Sequence, residues 1–260
     1  MRNPAGQILF ALGLTLGLAF AAGCRSARPS AAPARPPLRI GVVADAPPLI
    51  FRHHGTWTGA EADLGRALAD RLGMKPVFVA CPADRLADAL LGGRVDILMA
   101  GLAVTDERRI RMDFASPYLV VGQAALIRAE DLLRFNTEIK IRTARNRVGV
   151  VADSAGDRLV SRYFSRAERI VFPRAAEAVD ALLASQIDML IHDAPAAWWL
   201  SLSRAERLSV APALFAREEI AWAFRRGSVT LRESANRALA DWEKDGTLES
   251  ILRRWIPFSK

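Results

Sequence analysis

From residue 38 onward, short apolar runs alternate with segments whose apolar positions recur every three or four residues. Residues 38–43 form an apolar run bounded by Pro37 and the Pro47, Pro48 pair, which predicts a buried strand. Leu64, Ala67, Leu68 and Leu72 then fall at helical spacing up to Gly73, and residues 76–80 resume as a strand. The unit repeats at once: Leu86, Ala87, Leu90 and Leu91 share a helical face, Gly92 and Gly93 stop it, and residues 95–100 read as another buried strand. A long apolar stretch over 118–127 follows. A second series runs through a strand at 148–151, a helix with Leu159 and Val160, a strand at 170–172, a helix with Val179, Leu182 and Leu183, and a strand at 187–191. A strand over 219–224 and two helices close the chain, one carrying Leu231, Ala235, Leu239 and Trp242, the other Leu248, Ile251, Leu252 and Trp255. Two strand-helix-strand series predict two α/β lobes, and no fixed-period repeat appears.

Ahead of this frame the pattern changes. Arg2 precedes an apolar run over residues 8–20, followed by Ala21, Ala22, Gly23 and Cys24, which is the anatomy of an export signal. The run is too short for the roughly 20 apolar residues of a spanning helix, so a polytopic membrane protein is excluded. Small residues before a cysteine resemble the lipobox of bacterial lipoproteins, where the thiol takes the lipid and becomes the new N-terminus. Residues 1–23 are thus expected to be a signal peptide, Cys24 a lipidation site, and the mature protein an extracytoplasmic one held to the membrane by its lipid. Residues 25–37 carry four prolines and suit neither helix nor ladder, so 24–37 reads as a tether.

Composition sharpens this only slightly. The 260 residues are 51% hydrophobic and 25% charged, which excludes a disordered or fibrous chain. The net charge of +8 rests almost wholly on arginine, with lysine only at 75, 140, 244 and 260. These arginines are scattered among acids without a basic run, so no nucleic-acid partner is expected. With Cys24 acylated, Cys81 remains as a lone, buried, unpaired thiol. His53 and His54 lack a third ligand, and no metal or cofactor is expected.

Five pieces in order bring one family into view: 59–64 (Gly Ala Glu Ala Asp Leu), 93–97 (Gly Arg Val Asp Ile), Thr105 to Arg108 with 113–118 (Asp Phe Ala Ser Pro Tyr), 187–195 (Ile Asp Met Leu Ile His Asp Ala Pro), and 245–248 with Trp255. Together they resemble the extracytoplasmic solute-binding proteins of family 3, the polar amino-acid receptors of ABC importers, over about residues 38–258. The resemblance implies a two-lobed, type II periplasmic-binding-protein-like α/β fold that closes on its ligand about a hinge. Lobe 1 would comprise 38–122 and 216–260, the latter including the C-terminal helices, and lobe 2 would comprise 123–215. A monomer delivering its ligand to a permease and its ATPase is implied.

Residue types point the same way. Arginine offers two parallel N–H groups to a carboxylate, and Arg108, after a Thr105 able to cap its turn, matches the family's carboxylate anchor. Asp193 precedes Pro195 as a helix cap would, and the resemblance gives it the ligand's α-amino group with His192 beside it. Ser154 lies in a strand-to-helix turn whose N–H groups suit an anion. Gly101 is where the family's backbone meets the ligand. Ala46, Ala60 and Ala103 occupy positions that the family gives to two aromatics and a hydroxyl, and Val43 replaces an acid, so the pocket is roomier and less polar. Either the ligand is unusual or Asp45, Trp57 and Tyr118 compensate. The tryptophans Trp198, Trp199 and Trp242 read as packing residues. The enzyme alternative is a cyclohexadienyl (prephenate/arogenate) dehydratase-like protein on the same fold, with Glu61 or His192 as its general acid. A ligand-sensing partner protein is the third reading.

Overall fold

The computed structural model describes residues 35–143 and 145–256. The export signal, the Cys24 lipidation site and the tether up to residue 34 lie outside the described residues, as does the chain beyond residue 256.

Strand β1 (Pro37–Val42) buries Leu38, Ile40 and Val42 completely, as a central parallel strand covered on both faces must. An antiparallel hairpin sheet follows, β2 (Asp45–Ala46), β3 (Ile50–His53) and β4 (Thr56–Thr58). Strands this short leave no periodic signal. Helix α1 (Ala60–Arg71) begins at Gly59, whose φ of 117° and whose approach to the Leu49 carbonyl, 2.4 Å from where a Cβ would stand, leave room for glycine alone. β5 (Lys75–Ala80) pairs in parallel with β1 from Pro37–Lys75 to Val42–Ala80. Then come α2 (Leu86–Leu91), β6 (Ile97–Leu98), α3 (Asp106–Arg111) and β7 (Met112–Phe114). The strand expected over 95–100 thus shrinks to two residues, because the chain leaves the sheet and turns at Gly101, φ 63°.

β8 (Leu119–Arg128) leads into a second sheet, followed by α4 (Glu138–Thr143), β9 (Arg147–Val151), α5 (Ala155–Tyr163), β10 (Glu168–Phe172), α6 (Ala175–Leu183), β11 (Met189–Asp193) and α7 (Ala194–Leu202). β12 (Leu208–Ile220) runs antiparallel to β8 back toward the first sheet, where β13 (Ala223–Arg225), α8 (Val229–Asp245) and α9 (Thr247–Trp255) complete the first lobe. The single strand expected over 219–224 is therefore two, since Ile220 ends one sheet and Ala223 enters the other. Strand order is β5-β1-β6-β13-β7 in the first lobe and β10-β9-β11-β8-β12 in the second.

Helices cover both faces of each sheet. In the first lobe Leu64 and Leu68 of α1, with Trp242, Ile251 and Leu252 of α8 and α9, pack on Ile40, Trp222 and Phe224. Leu86 and Leu90 of α2 close the other face with Cys81, Leu98 and Met112. Cys81 is a free, buried thiol, with Nη2 of Arg94 at 3.0 Å from its sulfur. In the second lobe α5 packs on Val148, Val150 and Ile191, and α6 and α7 pack on Leu126 and Leu190. Among the described residues no helix is long and apolar enough to cross a membrane.

Each lobe carries the same latch. Arg39 of β1 donates its backbone N–H to Asp96 at 2.9 Å and accepts from the Asp96 N–H at 2.8 Å, while the two side chains form an ion pair. Arg147 of β9 and Asp188 repeat this pattern, with both backbone contacts at 2.8 Å. The aspartate thereby ties the entry to β6 or β11 to its neighbouring strand.

Candidate functional site

A cavity of about 590 Å³ lies between the lobes, within the range of small-ligand sites. Asp45, Ala46, Leu49, Gly101 and Ala103 line it from the first lobe, Arg174, His192, Asp193 and Trp199 from the second, and Glu218 and Ile220 from β12.

The first lobe's wall is mostly backbone and small side chains, and it is held from behind. Glu61, 1% exposed, accepts from the Gly101 N–H at 2.8 Å and the Tyr118 hydroxyl at 2.6 Å on Oε1, and from Trp222 Nε1 at 2.9 Å on Oε2. Burial pushes the Glu61 carboxyl up to about 7 although all three donors oppose this, because removing a carboxylate from water costs more than they restore. The Tyr118 hydroxyl is pushed well above its ordinary value, by burial first and by Glu61 second. Ala103 bridges to Ile220. Its carbonyl accepts from Arg108 Nη1 at 2.7 Å.

The second lobe's wall carries Arg174 and Asp193, against Asp45 on the first. Asp193 stands at the N-cap of α7, as expected, but its side chain makes no capping hydrogen bond. Its Oδ1 accepts instead from Nε2 of Gln123, a buried residue of β8. The Asp193 N–H donates to His192 Nδ1 at 2.7 Å, so the ring's proton sits on Nε2. Burial lowers the His192 pKa, and the Asp193 charge counteracts only part of this.

Five of the expected ligand residues, Ala46, Gly101, Ala103, His192 and Asp193, therefore line one cavity. Three do not. Ala60 is fully buried at the start of α1, its N–H bonded to the Pro48 carbonyl at 3.1 Å. Ser154 caps α5, its Oγ accepting from the Asp157 N–H at 3.0 Å, beside Asp153 in the left-handed region at φ 58°. Arg108, with Thr105 capping its turn as expected at 3.3 Å, lines a separate, smaller cavity with Leu98, Leu102 and Met112, and its Nη1 reaches the carbonyl of the cleft residue Ala103. Of the suggested replacements, Asp45 reaches the cavity, while Trp57 and Tyr118 are buried in the core.

Three cavity-lining residues, Arg174, Trp199 and Glu218, and the buried Gln123 bonded to Asp193 escaped the sequence reading. Trp199 was assigned to packing by its apolar neighbours on α7. It lines the cleft and meets Phe51 of the first lobe's hairpin, with ring centroids 5.4 Å apart. Nothing local distinguishes Arg174 and Glu218 from surface polar residues, whereas Gln123 interrupts the apolar stretch 118–127. Among the described residues there is no cluster of three side chains suited to a metal ion.

Residues 38–258 match the family described as bacterial extracellular solute-binding proteins, family 3. The chain is 26% identical over 224 residues to the L-cystine-binding protein TcyJ of Escherichia coli, covering 84% of this chain and 82% of that one. A solved structure of an ancestral cationic amino acid solute-binding protein superimposes with a TM-score of 0.78 at 29% identity, covering 84% of this chain and 95% of that one. A cyclohexadienyl dehydratase of Pseudomonas aeruginosa is 23% identical over 226 residues, covering 85% of this chain and 83% of that one.

Proposed function

Because the chain belongs to family 3 of the bacterial extracellular solute-binding proteins, whose fold is the type II periplasmic-binding-protein architecture, we propose that it is the amino-acid receptor of an ABC importer. On this reading Cys24 carries a lipid anchor, and the closed receptor hands its ligand to the permease and its ATPase. The observation that carries it is the interlobe cavity, whose two walls come from different lobes and whose strands β8 and β12 supply the hinge.

The ligand's ammonium sits against Asp193, whose orientation is held by Gln123. The Gly101 N–H already serves Glu61, so this wall offers shape rather than that donor. Arg108 is the carboxylate anchor: one of its five N–H groups is spent on the Ala103 carbonyl and the others remain for the ligand. His192, neutral with its proton on Nε2, donates a hydrogen bond without adding charge. Trp199 supplies the aromatic face for which Ala46 leaves room.

Dehydratase chemistry has less support, since Glu61, one of its two candidate acids, is engaged by three donors and does not line the cavity. Thermal unfolding against the amino acids and a panel of amine-free carboxylates tests the receptor. A ligand present at about 1,000 times its Kd adds about 4 kcal/mol of stability, visible as a shift of several degrees. Arg108→Ala is expected to abolish the shift while leaving the unliganded midpoint in place. A shift only with amine-free acids, followed by their turnover, overturns the receptor reading.

A further inference from the structure

The cavity is lined by two carboxylates that the receptor scheme above does not use, Asp45 and Glu218, and of these Asp45 is exposed to water while Glu218 is half-buried. Glu218 lies on β12 just beyond an irregularity in the pairing with β8, where the register slips between Phe215 and Glu218 and Ala216 adopts φ 44°. Such a bulge re-aims the following side chains, and Glu218 is turned into the interlobe cavity. It is half-buried, and its carboxylate makes no hydrogen bond or ion pair among the described residues. Asp193, which shares the cavity, does have a partner in Gln123.

Burial raises the Glu218 pKa first and the charge of Asp193 raises it further, while Arg158 and Arg108 pull it back. A carboxylate kept half-buried without a partner costs free energy unless something in the cavity compensates it. The zwitterionic part of an amino acid does not, because its ammonium belongs to Asp193 and its carboxylate to Arg108. What remains for Glu218 is the ligand's side chain. A neutral side chain there would leave the acid desolvated and unpaired, whereas a cationic one would form a charge-assisted hydrogen bond.

We propose that Glu218 is a specificity-determining residue that pairs with a cationic side chain of the bound amino acid, so that the cleft selects basic amino acids over neutral ones of the same shape. This rests on the receptor reading above. The cavity, at about 590 Å³, has space for a long side chain, and Trp199 offers it a face beside the acid.

Calorimetric titration of the intact protein and of Glu218→Gln with L-arginine, L-lysine and the uncharged arginine isostere L-citrulline tests this. The unaltered protein is expected to bind arginine or lysine at least ~100-fold more tightly than citrulline, and Glu218→Gln to close that gap by ~10- to 100-fold while leaving citrulline where it was. The unliganded thermal midpoint of Glu218→Gln should be unchanged or higher, since an unpaired acid has been removed; a purely structural role would lower it. Equal affinity for arginine and citrulline, tight binding of neutral amino acids alone, or an equal loss for both ligands in Glu218→Gln overturns the inference and leaves the receptor standing. Absence of binding to any amino acid overturns both.

Discussion

The two lobes use one latch in different surroundings. Asp96 pairs with Arg39 near the surface, the two side chains being 27% and 41% exposed. Asp188, at 11%, has Arg147 at 3.0 Å, Arg134 at 3.8 Å and Arg128 at 4.0 Å. Both aspartates are held below their ordinary pKa: burial works against the charged form, and the hydrogen bonds and charge of the partnering arginine outweigh it. The lobes also divide the labour at the cleft. The first presents Gly101 and Ala103 on a scaffold fixed by buried Glu61, and the second presents the charged and ring side chains of Arg174, His192, Asp193 and Trp199. A wall whose charged lining residue is Asp45 thus faces one that carries Arg174 and Asp193.

Substitutions can break this comparison, beginning with the largest effect. Asp188→Ala leaves three arginines around an emptied, mostly buried position and is expected to cost about 3–5 kcal/mol, whereas Asp96→Ala costs about 1–2 kcal/mol. Urea unfolding of both variants checks this, and equal losses would show that burial does not separate the latches. The next effect is the first lobe's proton. Glu61 ionises near 7 in the fold against an ordinary 4.5, so the folded state binds more protons between those values and stability falls as pH rises through that window. The fall amounts to at most about 3 kcal/mol. It should be absent in Glu61→Gln, which is destabilised at every pH because an amide N–H₂ now faces a donor. Glu218, whose raised pKa gives a slope of the same sign, and His192, whose lowered pKa gives the opposite one, are common to both proteins, so the difference between the two profiles isolates Glu61, and identical profiles would place the proton elsewhere. The smallest effect is Gly101→Ala. Its φ of 63° costs about 1–2 kcal/mol for a residue with a Cβ. That Cβ would also meet Leu49 Cδ1 at 2.6 Å, turning Leu49 into the cleft. Calorimetry should show weakened ligand binding in this variant, while denaturation shows only the modest loss.

Much of the fold was legible because its signals are local. The strands β1, β5 and β9, the α1, α5 and α6 faces and the cap at Thr105 each arise from residues within a few positions of one another. The hairpin β2–β4 was missed because strands of two to four residues carry no period. The site was half legible: Ala46, Gly101, Ala103, His192 and Asp193 converge on one cavity, while Arg108, Ser154 and Ala60 lie beside or behind it.

What the sequence determined by itself is the order of elements, the two α/β lobes and the family, since apolar periodicity and motif order survive without knowledge of any distant contact. What only the tertiary structure decided is the use of five side chains. Glu61 meets Trp222 across 161 residues and Gln123 meets Asp193 across 70, and Glu218 turns into the cleft through a bulge that no local pattern announces. Glu61 consequently proved to be a buried support rather than an acid open to substrate, and Trp199 a cleft residue rather than packing. The physical reason is that a polar side chain's role is set by its burial and its partners, and both are properties of the folded chain.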